Sequence, residues 1–274
     1  MDFTTKLRGA WTKNDSLLCV GLDTDFEKLP EHLKTDPTPL FVFNKAIIDA
    51  TADLVCAYKP NSAFYEALGP VGILQLKQTV DYIHENYPEI LVILDAKRGD
   101  IGNTNDQYIA FIYDYLNVDA LTLHPYLGRE ALEPFLNRAD KGAIIMCRNS
   151  NPGAGELQDL KVEGRPLYEY LASRISTKWN TNNNCLLVVG ATVPKEMKKI
   201  RKLVGDMPFL VPGVGAQGGD IEEIMKAGVD SNNQGMIINS GRAIIYASGG
   251  EDFAEVARAE AIKTRDEINK YRGI

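Results

Sequence analysis

Runs of Val, Ile, Leu and small residues recur eight times along the chain, at 16–23, 53–59, 90–95, 118–124, 142–148, 185–191, 207–213 and 235–240. Most are continuous rather than alternating, the pattern of parallel strands covered on both faces. Between them lie helical patterns at 39–52, 69–87, 103–116, 128–137, 165–179, 194–203, 220–227 and 252–272. In the second of these, Val71, Leu74, Gln75, Gln78 and Tyr82 are spaced around the helix turns. Strands alternating with helices imply right-handed βαβ units. Eight such units in about 250 residues fit a closed (β/α)8 TIM barrel. An open doubly wound sheet is the alternative. Residues 2–14 read as a short helix ahead of the barrel. No low-complexity linker divides the chain, so 1–274 is expected to form a single domain.

Composition narrows the classes. Of 274 residues, 45% are hydrophobic and 24% charged, the balance of a soluble globular protein. No run approaches the roughly 18 apolar residues of a membrane span, and the start, Met1-Asp2-Phe3-Thr4-Thr5-Lys6, lacks the build of a signal peptide. Lys and Arg number 30 against 37 Asp and Glu, a net charge of −7. Such a chain is a poor generic binder of nucleic acid or membrane surfaces. An anionic ligand would need a local pocket. Cys19, Cys56, Cys147 and Cys185 sit inside apolar runs without a C-x-x-C pair, and read as buried reduced thiols of a cytoplasmic protein. With only His32, His84 and His124, no transition-metal site is expected.

In a parallel barrel, chemistry belongs at the C-terminal ends of the strands. The polar residues gather there: Asp23, Lys59, Asp95-Ala96-Lys97 with Arg98-Gly99-Asp100 behind it, His124, Arg148-Asn149-Ser150, and Asn239-Ser240-Gly241-Arg242. Strand period is two, so Asp95 and Lys97 are expected on one face, continuing the column of Leu91 and Ile93. Unpaired charges there would be costly. Asp23 and Lys59 on neighbouring strand ends supply partners, and the four charges sum to zero. The plainer alternative is a set of solvated strand-end salt bridges.

Pro212-Gly213-Val214-Gly215-Ala216-Gln217-Gly218-Gly219-Asp220 contains G-x-G-x-x-G between a strand and a helix. A dinucleotide reading lacks the acid expected about 20 residues later, and only one strand–helix unit follows. The barrel rule fits better, with phosphate between the loops after strands 7 and 8. Glycine N–H groups, a helix N-terminus and the Arg242 guanidinium would hold it. Glycines that merely make tight turns are the alternative.

The run Asp95-Ala96-Lys97-Arg98-Gly99-Asp100-Ile101-Gly102-Asn103-Thr104 resembles the D-x-K-x-x-D-I-x-N-T signature of the orotidine 5′-phosphate decarboxylases. Gly21-Leu22-Asp23, Tyr58-Lys59-Pro60, the glycine run and Ser240-Gly241-Arg242 follow the same family order, and the loop 147–153 is similar to the longer bacterial subfamily. The resemblance implies a barrel homodimer converting orotidine 5′-monophosphate to UMP and CO2, the last step of de novo UMP synthesis, without metal or organic cofactor. It implies that Lys97 protonates C6 and that Asp95, Lys59 and Asp100 complete the charged array. Asp100 and Thr104 would reach the partner's site. Asp23 and Lys59 would hold ribose hydroxyls, Ser150 would meet the pyrimidine, and Gln217, Arg242 and the Gly241 N–H would close on phosphate.

Three rivals remain. Related phosphosugar barrels, such as 3-keto-L-gulonate 6-phosphate decarboxylase or hexulose-phosphate synthase, share D-x-K-x-x-D but use Mg²⁺. A lysine at 59 disfavours them, because a cation site would favour a carboxylate. A non-catalytic nucleotide-binding barrel would not need Lys97 or Asp100. A Schiff-base aldolase would want its lysine in an apolar or cationic setting, not beside Asp95.

Overall fold

The eight apolar runs form eight short parallel strands that close on themselves. In the computed structural model, which describes residues 1–215 and 218–273, they are β1 (Leu18–Leu22), β2 (Ala57–Pro60), β3 (Leu91–Arg98), β4 (Ala120–Leu123), β5 (Gly142–Arg148), β6 (Cys185–Val189), β7 (Phe209–Pro212) and β8 (Met236–Ser240). Each pairs in parallel with its neighbours in sequence, and β1 closes the ring on β8. Closure leaves the barrel sheet without an edge. The open doubly wound sheet is thereby excluded. β1, β2, β5 and β6 are almost wholly buried, as expected of strands with barrel interior on one side and helices on the other.

The helices fall near their expected places, with two physical differences. The segment expected as one helix over 103–116 is α-helical only over Gly102–Ile109, then widens into a π-type stretch over Ala110–Tyr115. The segment expected over 165–179 starts at Leu167 and ends in a similar stretch, Ile175–Trp179. Its first residues instead pair as a small ribbon, Lys161–Val162 against Arg165–Pro166. The second strand also begins later than expected. Ala52–Leu54 is a tight 3-10 turn that finishes the helix Pro39–Thr51, so β2 starts only at Ala57. No helix among the described residues is long and apolar enough to cross a membrane.

The short N-terminal helix Phe3–Lys13 covers the end of the barrel opposite the charged strand ends. Asp2 caps it, its Oδ1 accepting the Thr5 N–H at 2.8 Å. Phe3, Leu7, Ala10 and Trp11 are buried on one face. The Phe3 ring lies over the start of β5, where a Cβ on Gly142 would sit 2.5 Å from it, so only glycine leaves it room. Lys6 donates to Asp119 just before β4, Thr4 donates to the Asn183 carbonyl just before β6, and Asn14 Nδ2 donates to the Val55 carbonyl just before β2 at 2.8 Å. The helix therefore lies across the N-terminal floor. Asp119 is buried and also accepts from the Val92 N–H at 2.8 Å and contacts His84 Nε2 at 3.1 Å. Its burial works against the carboxylate charge, but the bonds from His84 and Lys6 prevail and hold its pKa below the ordinary value.

Candidate active site

At the opposite end, residues from all eight strands or the turns that follow them line a cavity of about 310 Å³. Asp23 comes after β1, Lys59 and Asn61 from the end of β2, Asp95 and Lys97 from β3, and Thr122 from β4. Asn149 and Ser150 follow β5, Val188 is on β6, and Pro212, Gly213 and Val214 end β7. Asn239, Gly241 and Arg242 complete it from β8.

The local backbone of β3 is unusual. Leu94 pairs with Leu121 of β4, but Arg98 pairs with Leu123. Three residues, Asp95, Ala96 and Lys97, thus face Thr122 alone. Lys97 absorbs the extra length in a left-handed conformation, φ 48°. Regular alternation is not what brings Asp95 and Lys97 together; a bulge does, and bulges re-aim side chains beside active sites. The N–H groups of Ala96 and Lys97, which the bulge removes from the ladder, both donate to Thr122 Oγ1, at 3.0 and 2.9 Å. That hydroxyl in turn donates to Asp95 Oδ1 at 2.9 Å.

Asp95 bridges the two lysines. Its Oδ1 lies 2.7 Å from Lys97 Nζ and its Oδ2 3.1 Å from Lys59 Nζ. Lys59 is 3% exposed and reaches Asp23 at 3.7 Å on its other side. Burial alone would discharge this ammonium, yet the Asp95 and Asp23 carboxylates outweigh it and raise the Lys59 pKa above that of an ordinary lysine. Burial likewise opposes the charge of Asp95, but Lys59 and Lys97 press its pKa well below the usual carboxylate range. The site therefore holds fixed opposite charges at neutral pH, in a pocket partly shielded from water. Asp23 Oδ1 is buried without a hydrogen-bond donor, although the Lys59 charge is near.

The opposite wall is built from close backbone approaches. A Cβ on Gly21 of β1 would lie 3.1 Å from Gly241 Cα and 3.2 Å from Asn239 Oδ1. The glycine loop folds back on itself, Val214 pairing with Gly219, with Gly213 and Gly215 at φ 105° and 80°. Gly213 and Val214 share the cavity lining with Gly241 and Arg242. The helix after this loop, Ile221–Gly228, is capped by Asp220, whose Oδ1 accepts the Glu223 N–H at 3.1 Å.

Of the residues expected at the site, Asp23, Lys59, Asp95, Lys97, Ser150, Gly241 and Arg242 line this one cavity. Asp100 and Thr104 do not. Asp100 lies on a loop clamped by buried Asn105, which accepts the Asp100 N–H at 2.9 Å and donates to the Ala131 carbonyl at 2.6 Å. Thr104 is exposed on the helix that follows. Gln217 lies outside the described residues. Two strand-end residues turn elsewhere: Arg148 reaches Gln158 Oε1 at 3.2 Å, and His124 is absent from the cavity wall. The sequence reading missed Thr122 and Asn61. A hydroxyl inside Ala120-Leu121-Thr122-Leu123 was the available signal for the first, and the polar residue two beyond Lys59 for the second.

Comparison with known proteins supplies the family. A family model described as "Orotidine 5'-phosphate decarboxylase / HUMPS family" matches residues 16–259. The chain is 54% identical to orotidine 5′-phosphate decarboxylase of Cellvibrio japonicus, over 99% of this chain and 100% of that one. It is 52% identical to the protein of the same name from Azoarcus sp., over 99% and 100% of the two. Its fold is similar to the solved structure of Leishmania donovani OMP decarboxylase, with a TM-score of 0.87 and 35% identity over the full length of both chains.

Proposed function

As the chain belongs to the orotidine 5′-phosphate decarboxylase / HUMPS family, we propose that its cavity converts orotidine 5′-monophosphate to UMP and CO2 with Lys97 as proton donor. It is a carboxy-lyase of UMP biosynthesis. The observation that carries the mechanism is the Asp95 carboxylate held between the Lys97 and Lys59 ammonium groups at 2.7 and 3.1 Å.

Decarboxylation breaks the bond between C6 and the carboxylate carbon and leaves the electron pair on C6, in the ring plane and outside the π system. A fixed ammonium beside C6 stabilises that pair and then gives it a proton. Lysine suits the task as a compact cation with transferable protons. Asp95 keeps the Lys97 head in place, and Lys59 balances Asp95. Asp23 and Lys59 hold ribose hydroxyls, which gives the donor-free Asp23 Oδ1 a partner. Ser150 meets the pyrimidine. The phosphate sits between Gly213-Val214 and Gly241-Arg242, with Gln217 from the same loop.

Asp100 and Thr104 act in the partner subunit of a cytoplasmic homodimer, each chain a single domain. Their place outside their own cavity supports that reading. Asp100 would crowd the reacting carboxylate. Two charges about 4 Å apart interact by roughly 4 kcal/mol at an effective dielectric near 20, about three powers of ten in rate. Large enzymatic accelerations need about 8–23 kcal/mol. Carbanion stabilisation by Lys97 and binding energy from the phosphate supply the rest.

The metal-dependent members of the wider family are disfavoured by Lys59, whose buried ammonium stands between Asp23 and Asp95 where a cation would need those carboxylates. A Schiff-base role for Lys59 is disfavoured by its raised pKa, which leaves little free amine. Loss of orotidine monophosphate absorbance, with and without a chelator, tests the reading. Turnover that survives chelation supports it. Turnover that needs Mg²⁺, or none with this nucleotide, overturns it.

A further inference from the structure

We propose that Thr122 is a positioning residue for decarboxylation, its hydroxyl holding the β3 bulge in the one shape that sets the Lys97 ammonium against Asp95. The inference rests on the reaction assigned above and adds a residue of the cavity wall that holds Asp95 and the Lys97 backbone.

Thr122 is 1% exposed and sits alone opposite the three bulged residues. Its single oxygen makes three contacts. It accepts from the N–H of Ala96 and of Lys97 and donates to Asp95 Oδ1, all within 3.0 Å. A hydroxyl has one proton and two lone pairs, so this set uses its whole capacity. The direction is therefore fixed: both lone pairs are taken by the backbone, and the proton goes to the carboxylate. The same carboxylate oxygen receives Lys97 Nζ at 2.7 Å. Thr122 thus ties the Lys97 backbone and the Lys97 side-chain partner to one point on a neighbouring strand.

The bulge needs such a tie. The Lys97 left-handed backbone is uncommon for a residue with a Cβ and is kept only where surroundings over-determine it. The two N–H groups freed from the ladder are also costly to leave without acceptors. Without the hydroxyl, β3 can relax toward regular pairing with β4, which would swing the ammonium away from Asp95. Misplacement of a catalytic group by about 1 Å costs on the order of a hundredfold in rate. Ribose and phosphate contacts lie on other strands and would be spared.

The test compares Thr122→Ser, Thr122→Cys and Thr122→Val in steady-state decarboxylation, with UMP affinity and thermal melting measured alongside. Thr122→Val matches the shape and removes the oxygen. It should lower kcat by about ten- to a hundredfold while KM and UMP affinity stay within about threefold. Thr122→Ser should restore most of the turnover. Thr122→Cys, with a weak donor and acceptor, should fall between. Should Thr122→Val fail to fold, the order of serine above cysteine decides. Equal turnover for serine and cysteine, a valine variant with near-normal kcat, or a KM that rises while kcat holds would each overturn the proposal. A wild-type enzyme inactive on orotidine monophosphate would instead overturn the assigned reaction.

Discussion

Lys97 lays its ammonium 2.7 Å from Asp95 Oδ1 although only one residue separates them and its own backbone is left-handed. The pair is made by the bulge, and the lysine head is the most exposed member of the charge chain that runs through Asp95 and Lys59 to Asp23. Lys97→Ala should therefore abolish decarboxylation, by at least about three powers of ten in kcat, and leave a folded protein that still binds UMP. Turnover and UMP titration on the same preparation check it. Near-normal turnover would remove Lys97 from the chemistry.

Asp100 should act across a subunit interface. Mixing Lys97→Ala subunits with Asp100→Ala subunits should recover activity, because each mixed dimer has one site with both defects and one with neither. Random exchange would rebuild about a quarter of wild-type sites. No recovery after verified exchange would place Asp100 in its own chain's site.

Arg242→Ala should weaken the nucleotide far more than the bare nucleoside. Arg242 lines the cavity just after β8, together with Gly213. Charge-assisted hydrogen bonds contribute about 1.5–3 kcal/mol each, so kcat/KM for orotidine monophosphate should fall at least about tenfold. The value for orotidine should change little. Equal losses on both substrates would tie Arg242 to the base or the fold.

At the far end of the barrel, Asp119→Ala should destabilise the fold by about 3–5 kcal/mol at neutral pH, since it strands Lys6, His84 and the Val92 N–H. Burial disfavours the Asp119 charge but His84 and Lys6 depress its pKa, so the stability it brings is present above the unfolded value of 3.8 and is lost as pH falls below it. Denaturant unfolding of both proteins from neutral pH downward reads this as a gap that closes in acid. A gap that is constant across that range would refute it.

Much of this architecture was legible because a barrel strand carries its own mark. Runs such as Leu18-Cys19-Val20-Gly21-Leu22 need cover on both faces, and eight of them interleaved with helices close into one ring. The charged strand ends were legible for the same reason: Asp23, Lys59 and Asp95 interrupt apolar runs where interruption is costly. What escaped depends on register. Alternation treats Leu91-Val92-Ile93-Leu94-Asp95-Ala96-Lys97 as one regular strand, and no local pattern signals that β4 answers three of those residues with Thr122 alone. Thr122 looks like one polar atom in a β-branched residue until the freed N–H groups are placed around it. The π-type widening at Ala110–Tyr115 was equally invisible, because its apolar spacing differs from an α-helix by less than a turn.

The helix Phe3–Lys13 covers the floor of the barrel, and the charged cavity opens at the other end. On the assigned chemistry, nucleotide, CO2 and UMP all pass through it, and so does the proton that recharges Lys97 after each cycle. Delivery and refuelling then queue at one door. On that chemistry, a product still seated in the cavity stands in the way of both.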